Sequence, residues 1–272
     1  MSSSFDKITL RAPNGDTTDM VANGAHVTSW CTADGVEQLY LSPCSEFRKG
    51  AAIRGGVPII FPQFSTEGPL PRHGMARTAF WQPEPSDDPS RIALVWHDDA
   101  HTRNIWPQSF AARYEVELAA GQLSLTLHIH NTGEMSMAFT SALHTYLRVS
   151  DIKDVQIAGL HGSMYRDSAH GGELCEEIGD VVTIEGEVDR IYLNTPSELV
   201  LRDAVVRQRS VHQQGFQDSV VWNPGPEKCA ALRDMPADGY RYMVCIESAR
   251  IGRPVVLAPG ERWSGSQILQ VL

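Results

Sequence analysis

Glu247 ends the run Tyr242-Met243-Val244-Cys245-Ile246-Glu247, which reads as a strand with apolar residues on both faces. Alternation puts Glu247 on the side of Met243 and Cys245, with Val244 and Ile246 opposite. A strand buried on both sides makes an unpaired carboxylate costly. Burial also raises its pKa, which suits a proton acceptor working near neutral pH. A structural glutamate satisfied by Arg241 or Arg250 fits the same run. His144 sits in a second alternating stretch, sharing a side with Thr140, Tyr146 and Arg148. An imidazole there can carry a proton at physiological pH. The plainer alternative is a core histidine bonded to a backbone carbonyl. Asp189, in Val188-Asp189-Arg190-Ile191-Tyr192, fits a ligand-holding carboxylate or a simple ion pair with Arg190.

The third group of polar residues lies in IRGGVPIIFPQFSTEGPLPRHGMARTAFW, residues 53–81. Gly55 and Gly56 allow backbone angles that other residues avoid. Pro58, Pro62, Pro69 and Pro71 exclude a long helix or a central strand. A rigid connecting loop with short extended pieces is the expected form. It carries Arg54, Arg72, His73 and Arg77, which together suit an anion or a sugar. The alternative is a proline-rich turn whose arginines make surface ion pairs worth roughly 0–1 kcal/mol each. His128 and His130 share a strand face and allow a metal site. The spacing defines no third ligand for it.

Short strands must position these groups. Ala112, Tyr114, Val116 and Leu118 alternate with polar residues, as do Leu123, Leu125, Leu127 and Ile129 across a turn at 119–122. That period of two predicts a half-buried antiparallel hairpin. Asn14-Gly15 predicts another. Residues 24–30, 39–42, 139–149, 155–158, 181–184, 198–202, 204–211, 218–222, 241–248, 254–257 and 265–271 read as further strands. No helical period runs beyond two turns. The expected class is an all-β sandwich or barrel, one domain over residues 1–272.

The bulk numbers narrow the function classes. A net charge of −10 argues against a general nucleic-acid binder. Five scattered cysteines without a CxxC pair suggest reduced thiols in a cytoplasmic protein. The start, MSSSFDKITL, lacks the pattern of a signal peptide. No apolar run approaches the roughly 18 residues of a membrane helix.

Taken together, these segments resemble the aldose 1-epimerase (galactose mutarotase-like) superfamily, most of all its hexose-6-phosphate mutarotase branch. The resemblance is carried by Ile53-Arg54-Gly55-Gly56-Val57-Pro58, Phe61-Pro62-Gln63-Phe64, residues 68–77, Trp81 and Leu143-His144-Thr145-Tyr146. It continues through residues 188–192, Val221-Trp222-Asn223-Pro224 and residues 243–247. Gly225-Pro226 and Ser65-Thr66-Glu67 depart from the branch pattern, in places that affect the pocket rim. The resemblance implies a large antiparallel β-sandwich with its site on a concave face. It implies Glu247 as general base, His144 as general acid, and His73 as a sugar-orienting residue. Asp189 would hold sugar hydroxyls, Arg54 and Arg77 the phosphate, and Gln63 would line the site. The implied reaction exchanges the α and β anomers of a hexose 6-phosphate, with no metal and no cofactor. The implied partner is a small sugar phosphate, with neither nucleic acid nor membrane, bound by a monomer. A non-catalytic carbohydrate-binding sandwich and a mutarotase of free aldoses are the competing readings.

Overall fold

A computed structural model describes residues 5–84 and 86–272. The first four residues of the segment read for a signal peptide lie outside these. Three antiparallel sheets account for the named strands. A small one joins Lys7–Arg11, Thr17–Val21 and His26–Cys31, with the Asn14-Gly15 turn between its first two strands. A nine-stranded sheet contains the expected hairpin as Phe110–Ala119 and Gln122–Asn131. An eight-stranded sheet runs in the order Glu173–Glu176, Met164–Asp167, Val188–Leu193, Asp218–Asn223, Met243–Leu257, Met137–Leu143, Ile59–Ile60. Tyr146–Arg148 also pairs with Met243–Leu257.

The two large sheets face each other as a sandwich. Tyr114, Val116, Leu123, Leu125, Leu127 and Ile129 point inward from the nine-stranded sheet, as their alternation requires. They share one core with Leu143, Tyr192, Val221, Val244 and Ile246 of the eight-stranded sheet. The other side of that sheet is also covered. Tyr146, Ile191, Val220, Trp222, Met243 and Cys245 form a second apolar cluster with Phe64 from the proline-rich loop. The strand carrying Glu247 is therefore buried on both faces over its first residues, as its sequence predicts.

The structure corrects several strand expectations. The strands expected at 241–248 and 254–257 are one strand, Met243–Leu257, with a register shift between Arg250 and Val255, and residues 241 and 242 lie in the short 3-10 turn Gly239–Tyr242 ahead of it. Asp218 fastens the chain there by accepting the Ile251 and Gly252 N–H groups at 2.7 and 2.8 Å. The strand expected at 204–211 is Arg209–Gln214 instead. The Asp203 carboxylate accepts the Val205 and Val206 N–H groups and closes a turn ahead of it. The strand expected from Gly24 starts at His26, because Gly24 and Ala25 adopt φ of 75° and 45°. Stretch 139–149 is not continuous: His144 and Thr145 interrupt it between Met137–Leu143 and Tyr146–Arg148. Two short helices, Ala100–Ile105 and Gly225–Ala231, are each under two turns and leave no periodic signal.

Candidate active site

Cross-strand register builds the floor of a cleft on the outer face of the eight-stranded sheet. Asp189 pairs with Trp222, Trp222 with Cys245, and Cys245 with Tyr146. One step along, Ile191 pairs with Val220 and Val220 with Glu247. Ser248 opposite Leu143 and Cys245 opposite Tyr146 set the register that brings Glu247 across from His144. Directly paired residues project to the same face, so both rows face the cleft side.

His144 Nε2 stands 3.3 Å from Glu247 Oε1, with the two side chains 11% and 1% exposed. The arginine alternatives for Glu247 do not form. Arg241 pairs with Asp151 at 2.5 Å, and Arg250 Nε is buried without a hydrogen-bond partner among the described residues. The break in the strand sets the imidazole. His144 N–H donates to Pro58 O at 3.0 Å, and Ile246 N–H reaches Thr145 O at 3.2 Å. Thr145 points the other way and hydrogen-bonds Gln267 of the nine-stranded sheet. Gln267 Nε2 also donates to Ile246 O at 3.2 Å and Ser248 Oγ at 2.9 Å. One buried amide thus braces both strands behind His144 and Glu247. The imidazole stacks on Tyr146 with centroids 4.9 Å apart and rings inclined by 10°. Trp222 meets it edge-on at 5.9 Å.

The proline-rich loop forms the facing wall. At Gly55, φ is 114° and an added Cβ would lie 2.3 Å from Tyr40 O. Only glycine lets this turn press against the neighbouring chain. His26, fully buried, hydrogen-bonds Gly55 O at 2.8 Å from the other side. Arg54 is presented next to this turn. Its Nε and Nη2 contact Asp234 Oδ2 at 3.2 and 3.1 Å, and its Nη1 donates to Tyr146 Oη at 3.0 Å. Arg77 donates to Arg72 O at 3.0 Å. His73 has φ of 65°, and the following Gly74 would place a Cβ 2.2 Å from Phe61 O. The ring of His73 lies 5.7 Å from that of His144. Ser65 N–H donates to His73 Nδ1 at 3.3 Å, so a neutral His73 carries its proton on Nε2.

Arg54, His73, Arg77, His144, Asp189 and Glu247 all line one cleft of about 210 Å³. That is below the roughly 300–1,000 Å³ of drug-sized pockets and fits a small polar ligand. Gln63 does not line it. Its Nε2 donates to Ser65 O and Leu70 O at 3.2 and 3.0 Å, and its Oε1 accepts Leu70 N–H at 2.9 Å. The amide is used in holding the loop. Asp189 is not paired with Arg190, which goes to Glu177 at 3.0 Å. His128 and His130 lie on the nine-stranded sheet, His128 beside Glu115 at 3.4 Å. No group of three His, Cys, Asp or Glu side chains among the described residues has metal-binding geometry.

Four further cleft residues carried no assigned role in the sequence: Tyr146, Trp222, Lys228 and Asp234. Alternation with His144 already placed Tyr146 on its side. The signal for Lys228 was weak, since its helix is too short to show a period. Lys228 is held by Glu187 at 2.6 Å.

Burial dominates the electrostatics. It pushes the Glu247 carboxyl well above its ordinary range, and the nearby Asp189 charge pushes the same way. It pushes His144 well below its ordinary value, helped by His73, Arg54 and Arg77. Asp189 is raised by burial, with Lys228 opposing. His73 falls to about 3 through burial and then through Arg77, Arg72 and Arg54. The floor therefore holds a carboxyl and an imidazole that can exchange a proton, beside a neutral N–H donor and a cationic wall. Such a pair suits proton transfer to and from two neighbouring oxygens.

The profile of the aldose 1-epimerase family matches residues 6–270. A candidate glucose-6-phosphate 1-epimerase of Cenchrus ciliaris is 37% identical over 275 residues, covering 97% of this chain and 84% of the relative. A protein of the same description from Escherichia coli K12 is 35% identical over 83% of this chain and 77% of its own. Among solved structures, a candidate mutarotase from Salmonella typhimurium superposes with a TM-score of 0.88 at 30% identity, over 97% of this chain and 89% of that one. A galactose mutarotase related enzyme from Lactobacillus acidophilus shares the fold at TM-score 0.78 and 16% identity, over 98% and 97%. With its two-sheet architecture, its cleft and a family match spanning nearly the whole sequence, this chain belongs to the aldose 1-epimerase family.

Proposed function

We propose that this protein is an isomerase that exchanges the α and β anomers of a hexose 6-phosphate, glucose 6-phosphate first among them. The observation that carries this reading is the buried His144–Glu247 pair on the floor of a cleft whose wall presents Arg54, Arg72 and Arg77. The family and the descriptions of its relatives support the same reaction. In ring opening, Glu247 takes the proton of the C1 hydroxyl while His144 protonates the ring oxygen. The C1–C2 bond turns in the open aldehyde. Closure then runs with the two groups in swapped roles, and all protons return. His73 supplies an Nε2–H to a sugar oxygen, and Asp189 accepts from hydroxyls across the floor. The arginines hold the phosphate away from C1, where its binding energy orients the ring. The reading covers a single-domain, monomeric enzyme in a cytoplasmic setting; five free cysteines are in keeping with a reducing compartment.

The test is NMR exchange spectroscopy between the anomers of glucose 6-phosphate, with glucose and galactose measured alongside. Acceleration of the phosphorylated sugar well beyond the free ones is expected. Binding without acceleration would make the protein a carbohydrate-binding module.

A further inference from the structure

Tyr146 lines the cleft, and its hydroxyl is only half used. The residue is 2% exposed, so that hydroxyl must find its partners in the protein or in a ligand. A phenol oxygen accepts hydrogen bonds and also donates one O–H. The accepting side is filled by Arg54, whose Nη1 donates to it at 3.0 Å. Asp234 Oδ2 holds the same guanidinium at 3.2 Å from Nε and 3.1 Å from Nη2, which fixes the direction of that donor. Among the described residues this is the one hydrogen bond that the Tyr146 hydroxyl makes.

The surroundings leave the O–H without an acceptor. Tyr146 lies flat against His144, with ring centroids 4.9 Å apart and planes inclined by 10°. A phenol O–H stays close to its ring plane, so it does not turn onto a stacked imidazole. Trp222 meets the Tyr146 ring edge-on at 5.9 Å, and an indole N–H only donates. The cations of the cleft, Arg54, Arg72, Arg77 and Lys228, only donate as well. Of the cleft carboxyls, Asp234 is engaged by Arg54 and Glu247 by His144. Asp189 stands three strands away in the row Tyr146, Cys245, Trp222, Asp189, about 14 Å at the usual strand spacing. Burial keeps the hydroxyl protonated at neutral pH by raising its pKa, against the pull of Arg54.

A buried O–H among donors calls for an acceptor that the ligand brings. A sugar hydroxyl carries its own proton, which needs an acceptor in turn. A phosphate monoester brings three acceptor oxygens, and its charge strengthens the bond. We infer that Tyr146 is a specificity-determining residue: its O–H donates to an oxygen of the substrate's phosphate, beside Arg54, and so favours phosphorylated over free hexoses. This rests on the sugar-phosphate reading and adds a neutral donor to the arginines.

The experiment pairs calorimetry with a crystal structure of the full chain bound to glucose 6-phosphate. Tyr146→Phe keeps the ring and its stacking on His144 and removes only the hydroxyl. Its Kd for glucose 6-phosphate should rise about 10–150-fold, and its Kd for glucose by a much smaller factor. Equal factors for the two sugars overturn the inference, as does a folded variant that binds glucose 6-phosphate as tightly as the parent. The crystal structure separates direct contact from a role confined to holding Arg54. A phosphate oxygen should stand about 2.5–2.7 Å from Tyr146 Oη. A bound phosphate with no oxygen within about 3.5 Å of Oη overturns the inference and leaves the sugar-phosphate reading intact. A parent protein that neither binds glucose 6-phosphate nor accelerates its anomer exchange sinks that reading and the inference together.

Discussion

His144 Nε2 and Glu247 Oε1 meet at 3.3 Å because two strands flank Met243–Leu257 in matched register. Neither side chain reaches the other through local sequence. The pair depends on the strand break at His144 and on the two-sided burial of the Glu247 strand.

Glu247→Gln keeps the size and removes the base. Anomer exchange should fall by about 10²–10⁴-fold, while glucose 6-phosphate still binds by calorimetry. Stability should move the opposite way. The folded pKa of Glu247 lies above its unfolded value, so the unfolded state holds fewer protons between them. Its contribution is complete below the unfolded pKa and lost as pH rises through the folded one. The variant should therefore gain Tm over the parent at pH 8 more than at pH 5. A variant with full activity would remove Glu247 as base.

Arg77→Ala should weaken hexose 6-phosphate far more than free hexose. A charge-assisted hydrogen bond of about 1.5–3 kcal/mol corresponds to roughly 10–150-fold in Kd. Arg54→Ala should act in the same direction and also release Asp234 and Tyr146, which Arg54 joins. Equal losses for phosphorylated and free sugars would speak against a phosphate site.

Gln267→Leu tests the brace behind the pair. It strips partners from Thr145, Ile246 O and Ser248 in a fully buried place. Each unsatisfied buried group costs about 1–3 kcal/mol, so Tm should drop by several degrees. Activity should suffer in kcat more than in KM, since the cleft wall is untouched. An unchanged kcat at a temperature where the variant is folded would separate the brace from catalysis.

His26 and His73 define an acid limb. Burial lowers His26 to about 4 and His73 to about 3, against an ordinary 6.5. Both are neutral in the fold at pH 7, so their contribution is present above the unfolded pKa and lost as pH falls toward the folded values. For His26 the loss is on the order of 3 kcal/mol. Urea midpoints should decline from pH 6.5 to 4. His26→Gln, which keeps a donor for Gly55 O, should flatten that decline. A slope unchanged in the variant would assign the limb elsewhere.

Much of this molecule was legible in the amino-acid order. Alternation in 112–118 and 123–129 specified a hairpin and its inward face, because side-chain direction along a strand is a local property. Apolar residues on both sides of Glu247 marked a doubly buried strand for the same reason. The Gly and Pro pattern of 53–81 announced a loop with fixed shape, and its arginines and histidine do line the cleft. Tertiary structure decided which polar groups meet. Gln63 shares that loop yet turns its amide to Ser65 and Leu70. Arg54 is balanced by Asp234, while among the described residues Arg77 meets the Arg72 carbonyl and no carboxylate, a difference set by the distant segment that carries Asp234. Such pairings depend on register and on chain segments far apart in sequence, and on which contacts satisfy each buried charge. Residue type limits those outcomes, and only the closed sandwich chooses among them.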